Sequence, residues 1–143
     1  MTNWNVLVQR EQIARDREGK KLGELMNRRS EYSELRIKTR AILTQYEEQL
    51  KEAHSQPRLI ADTHLYRVSI GQMRNALEQL DGQIYRLNDQ INRTRSVLGQ
   101  IECERQKYQL LVEQEEAARR IEAARDDARI LDDFSTQRFN QHH

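Results

Sequence analysis

The chain has 143 residues, one domain's length, with 33% charged and 6% aromatic residues, five Gly and one Pro. A mean hydropathy of −0.98 is too low for a wide globular core and suits a narrow seam between helices, with solvent on every other face. The net charge of +1, with signs mixed along the chain, leaves no basic footprint for nucleic acid and reads as solvated helix faces.

No apolar run approaches the roughly 20 residues needed to span a bilayer. The opening "MTNWNVLVQREQ" lacks the basic end and apolar stretch of a secretory signal. A cytoplasmic location is expected.

The first helix is expected at about residues 5–53. It has no Pro, and Gly19 and Gly23 are its only weakeners. Leu22, Leu25, Tyr32, Thr39, Leu43, Tyr46 and Leu50 share one a/d frame, and Leu35 and Ile42 widen it at g. Arg29 and Arg36 hold a positions, where an arginine lays its stem along the seam and its head in water.

A turn is expected at about residues 54–62. Pro57 lacks an amide donor and disfavours helix at Gln56. Asp62 or Thr63 then accepts hydrogen bonds from the amides that open the next helix.

The second helix is expected at about residues 63–134, followed by a flexible tail at 135–143. Its a positions read Ile70, Leu77, Ile84, Ile91, Leu98, Arg105 and Val112, and its d positions Met73, Leu80, Leu87, Thr94, Ile101 and Tyr108. Thirteen successive seam positions with one charge among them define a coiled coil. Gly71, Gly82 and Gly99 lie off the seam, at about 1 kcal/mol each relative to Ala. Beyond Val112 the frame slips to a thinner stripe of Ala117, Ile121, Ala124, Ala128 and Leu131.

The fold class is therefore all-α: two long helices in an antiparallel coiled-coil hairpin, the second longer and overhanging the first, in one elongated domain over 1–143. Tyr46 is expected near Ile70, Tyr32 near Ile84 and Leu25 near Ile91. A parallel dimer of unbroken helices is the rival arrangement, and Pro57 argues against it.

No catalytic constellation is found: no Gly-rich phosphate loop, no His-Glu-x-x-His, no paired cysteines. No enzyme activity, cofactor or metal is expected. Cys103, the only cysteine, cannot form an internal disulfide and falls at the outward f position. His54 and His64 flank the turn without an acidic cluster and read as polar turn residues; His142 and His143 close the chain. Asp126, Asp127, Asp132 and Asp133 read as a solvated face. Trp4, Phe134 and Phe139 sit where the hairpin has little core to cover them, and aromatics anchor protein interfaces. The residues alone thus describe a strut or adaptor with a sticky end.

Three features resemble the FliJ family of the flagellar export apparatus, which is grouped with the YscO-type proteins of virulence type III secretion. The first is the layout of helix, proline turn and longer helix. The second is "YRVSIGQMRNALEQL", similar to the family's Tyr followed by apolar residues, here Tyr66, Ser69, Ile70, Met73, Ala76 and Leu77. Ser69 departs from the bulky residue of that pattern. The third is "LDDFSTQR", which resembles the family's apolar-Asp-Glu-Phe-small ending, with Asp133 in the Glu position and Arg138 displaced by one.

The resemblance implies a non-enzymatic central-stalk component of a type III, flagellar, protein export ATPase complex. In the family an antiparallel coiled coil inserts its terminal end into the central hole of the hexameric ATPase. The family also contacts the cytoplasmic domain of the export gate and binds export chaperones, peripheral to the cytoplasmic face of the inner membrane. The ATPase-binding tip would comprise Trp4, Leu7, Ile121, Leu131, Asp133, Phe134 and Arg138. The gate-binding patch would comprise Ser69, Met73, Ala76 and Leu80, of which Met73 and Leu80 also fall on the seam. The alternatives are a virulence stalk protein of the same family, a generic coiled-coil adaptor and a secretion chaperone.

Overall fold

The structure, a computed structural model, describes residues 3–55 and 60–141, with backbone alone at 60–62 and 141. Helix α1 spans Trp4–His54, 51 residues, and α2 spans Ile60–Gln141, 82 residues. The fold is the all-α two-helix hairpin with the second helix longer. Gln56 and Pro57, on which the turn was expected, lie outside the described residues, as do His142 and His143.

Local chemistry places the helix ends. At the end of α1 the Ser55 amide and hydroxyl both donate to the Glu52 carbonyl, at 3.2 and 2.6 Å, which closes the last turn. Lys51 and His54 lie in that turn, where positive charge opposes the helix dipole. Helix α2 is described from Ile60, before the expected boundary, and Thr63 is buried near its start. It also continues through 135–141, the segment expected as a tail. No Gly or Pro follows Gly99, and the Thr136 hydroxyl donates to the Asp132 carbonyl at 2.9 Å.

The packing groups into two units: Arg17–Leu98, here the core unit, and Met1–Asp16 with Gly99–His143, here the terminal unit. In the core unit the helices run antiparallel, because positions late in α1 meet positions early in α2. Leu43 packs with Ile70 and Leu77, joined by Tyr46, Leu50 and Met73. Leu25 packs with Leu87 and Ile91, joined by Leu22 and Tyr32. The expected contacts of Leu25 with Ile91 and of Tyr46 with the Ile70 cluster are thus present. The arginines at a positions reach across: Arg29 Nη1 donates to Asn88 Oδ1 at 3.0 Å, and Arg36 pairs with Asp81.

All thirteen α2 seam positions are buried or half-buried. Leu35 and Ile42 do not widen the seam as expected; they stand 49% and 44% exposed. A two-stranded contact covers a and d residues, and with no third helix over it the g column faces water.

The terminal unit has a thinner seam. Trp4, Leu7, Val8, Glu11 and Ala14 on α1 are half-buried, and Val112 is the one buried side chain among its described residues. From 116 to 140 every α2 residue is exposed.

Two substitutions report on this balance. Leu87, 5% exposed, becomes a buried unpaired carboxylate in Leu87→Asp, and thermal unfolding by circular dichroism should show a loss of at least about 3 kcal/mol. A Cβ added at Gly23 or Gly71 meets nothing within 4 Å, so each Gly→Ala should add about 1 kcal/mol in the same assay.

Candidate functional site

Two contacts join the start of α1 to α2 in the terminal unit, a Trp4–Tyr108 ring stack and an Arg15–Glu102 ion pair, and two more within α2 surround them. Trp4 stacks on Tyr108, ring centroids 6.0 Å apart and planes 20° from parallel. Lys107 Nζ lies 6.0 Å from the centroid of the same Tyr108 ring. Arg105, the one charge in the α2 seam, forms a two-point pair with Glu102 at 3.0 and 2.7 Å. Arg15 on α1 reaches the same carboxylate at 3.5 Å. The hydrogen bonds from Arg105 hold the Glu102 carboxyl down at about 2, against an ordinary 4.5; partial desolvation opposes this, and the charges of Arg105 and Arg15 reinforce it. Tyr108 is the partner of Trp4 that the heptad pattern missed. It was visible only as a d residue, with no sign of what it would meet.

The expected ATPase-binding residues do not gather at one place. Trp4 and Leu7 are half-buried where α1 lies on α2. Ile121, Leu131 and Phe134 are 56%, 65% and 59% exposed on the uncovered part of α2, where Asp133 and Arg138 are exposed as well. At 1.5 Å per residue, Phe134 lies about 40 Å along α2 from Tyr108. Ile130, 66% exposed, joins this surface one turn before Phe134, a spacing of four that the sequence already carried. Asp126 is paired to Arg129 at 3.5 Å, so this acid belongs to a solvated helix face.

The expected gate-binding residues do share one face of α2. Ser69, Met73 and Ala76 are half-buried, and Leu80 is core at 8% exposure. Met73 packs against the Leu43–Ile70–Leu77 cluster, so half of this stripe also holds the hairpin together. Ser69 borders a groove with Tyr46 and Tyr66, whose rings meet edge to face at 5.8 Å and 71°. Ala76 and Leu80 border a second groove with Tyr32, Leu35 and Thr39.

Cys103 is exposed, at its expected outward position. His54 Nε2 lies 3.4 Å from the Arg67 guanidinium, a cationic neighbour that disfavours a metal there. Among the described residues no three His, Cys, Asp or Glu side chains cluster as metal ligands, and no helix is long and apolar enough to cross a membrane.

Among the described residues the surface of this coiled-coil hairpin offers shallow grooves and an uncovered stretch of helix. A family model described as the flagellar FliJ protein matches residues 6–143, nearly the whole chain, and the chain belongs to that family. The family is a cytoplasmic, non-catalytic component of the flagellar export apparatus, so the chain acts in protein transport as part of that apparatus. In comparisons with curated proteins and with solved structures, nothing matches the chain.

The Glu102 pairing predicts a pH dependence. A carboxyl whose pKa falls on folding stabilises the fold above its unfolded pKa and is lost as pH drops through the folded one. Trp4, the only tryptophan, reports on this unit by fluorescence. The unfolding midpoint of wild type should exceed that of Glu102→Gln above pH 4.5, and the difference should vanish as pH falls towards about 2.

Proposed function

We propose that this chain is the central-stalk component of the flagellar export ATPase complex, coupling the hexameric ATPase to the export gate. In this reading the terminal unit inserts into the central hole of the hexamer. The Ser69, Met73 and Ala76 face of the core unit meets the cytoplasmic domain of the gate, with Leu80 as the core residue beneath. The gate contact makes the chain peripheral to the cytoplasmic face of the inner membrane. Export chaperones are further partners, and no face is assigned to them. The family match favours the flagellar over the virulence system.

The observation that carries the ATPase contact is the uncovered stretch of α2. Over 116–140 no residue is buried, and Ile121, Ile130, Leu131 and Phe134 present apolar and aromatic surface. Apolar anchors of this kind dominate binding energy at interfaces. The mixed charges around them contribute about 0 to 1 kcal/mol per exposed pair, weak enough for several ATPase subunits to be met in turn.

Phe134 is 59% exposed, so Phe134→Asp should leave the circular dichroism spectrum and melting temperature unchanged. It should weaken binding to the purified ATPase hexamer by at least about tenfold, as loss of an aromatic anchor does. Wild-type binding by this variant, or a loss of helicity alongside binding, would count against the placement.

A further inference from the structure

The α1 side of the seam changes character towards the start of the helix. Counting heptads back from Leu22 and Leu25, α1 places Glu18, Arg15 and Glu11 at three successive seam positions, and then Val8 and Trp4. Over that charged stretch α1 offers the seam no apolar a or d residue. Arg15 reaches Glu102 of α2 at 3.5 Å. Glu11, its side chain 14% exposed, pairs with Arg10 on its own helix at 3.4 Å. That pair adds nothing between the helices, while covering the carboxylate costs it hydration that opening would restore. From Trp4 to Glu24 no α1 side chain is buried, and Leu25 is the first that is. The start of α1 is therefore held at its tip, by Trp4 on Tyr108 with half-buried Leu7 and Val8, and by one ion pair behind it.

The two glycines of α1, Gly19 and Gly23, follow the charged stretch directly. A Cβ at either meets nothing within 4 Å, so packing does not require glycine there. Glycine inside a helix weakens it at that point. The contacts of the chain divide beside the same place, between Asp16 and Arg17.

We propose that the first turns of α1, from Trp4 to about Glu18, form a strap that opens from α2 as a unit and pivots at Gly19 and Gly23. Closed, the strap covers Ile101, Tyr108 and Val112. Open, it adds them to the uncovered surface of α2, whose start moves from residue 116 back to residue 101, about 22 Å along the helix. Helix α2 persists when the strap leaves, because the Glu102–Arg105 pair lies within it. The strap thus gates how much of α2 is free to meet another chain.

Thiol labelling of the full chain tests this without any partner, so its outcome is separate from that of the ATPase contact. With the exposed Cys103 replaced by Ser, Val112→Cys places a thiol beneath the strap and Leu87→Cys places one in the core unit. The thiol of Val112→Cys should react at least about a hundredfold faster, since local opening costs less than global unfolding. Gly19→Ala combined with Gly23→Ala should slow it by at least about tenfold, because both stiffen the pivot. Gly71→Ala, in α2 and away from the strap, should leave that rate unchanged. Equal rates at the two thiols would show a single cooperative unit and overturn the inference. A Val112→Cys rate untouched by the glycine pair overturns it too, because the opening is then fraying from the chain end. Hydrogen exchange reads the same event in the unsubstituted chain. Amides 8–18 should exchange at one common rate, faster than those of the core unit. Protection that rises stepwise from Val8 to Leu25 overturns the strap.

Discussion

Ile91 is only 1% exposed, and it is enclosed by Leu25, Leu87 and their half-buried neighbours. Two helices touch along one line, so burial is available only to residues that return to that line every three or four steps. Each large aliphatic side chain buried there contributes about 1.5 to 3 kcal/mol, which outweighs the roughly 1 kcal/mol cost of each off-seam glycine. A seam one residue wide has no interior in which to hide a charge. The arginines at a positions therefore extend their stems along it and find partners at its border, as Arg29 does at Asn88 and Arg105 at Glu102.

That line of burial is unevenly filled. The core unit buries Leu25, Leu43, Ile70, Leu77, Leu80, Leu87 and Ile91, whereas the terminal unit buries Val112 alone among its described residues. The terminal unit relies instead on a ring stack and a carboxylate shared by two arginines. Segments with few buried contacts open most readily, and surfaces that dock partners come from that low-stability end. Past the reach of α1, helix α2 persists on local chemistry: no Gly or Pro, many strong helix formers, and pairs such as Arg119 with Glu115 one turn apart. Most helical stability in proteins comes from packing an apolar face, and a partner that covers Ile121, Leu131 and Phe134 would stabilise this stretch.

The same constraint leaves shallow grooves along the described surface of the core unit. With only a and d residues covered, both the e and the g columns face solvent, and their chemistry is free to differ. One column became a row of ion pairs that fix the register of the hairpin. The other kept its leucine, isoleucine, alanine and glutamines, and its grooves are lined without charge.

Much of this was legible in the residues. The period of apolar positions determined that both segments are helices, which face of each is buried, and that Cys103 points outward. The antiparallel direction and the meeting of Leu25 with Ile91 followed from one short connection between two long helices. Periodicity, however, sets phase within a helix and says nothing about what lies across from it. Only the packed structure decided that Trp4 meets Tyr108, that α1 covers α2 no further than residue 115, and that the expected tip residues are therefore divided between the half-buried start of α1 and the uncovered part of α2. It likewise decided that Leu35 and Ile42 stay exposed and that the contacts divide into two units, because coverage depends on where the partner helix begins and ends, a distance in space that no local pattern encodes.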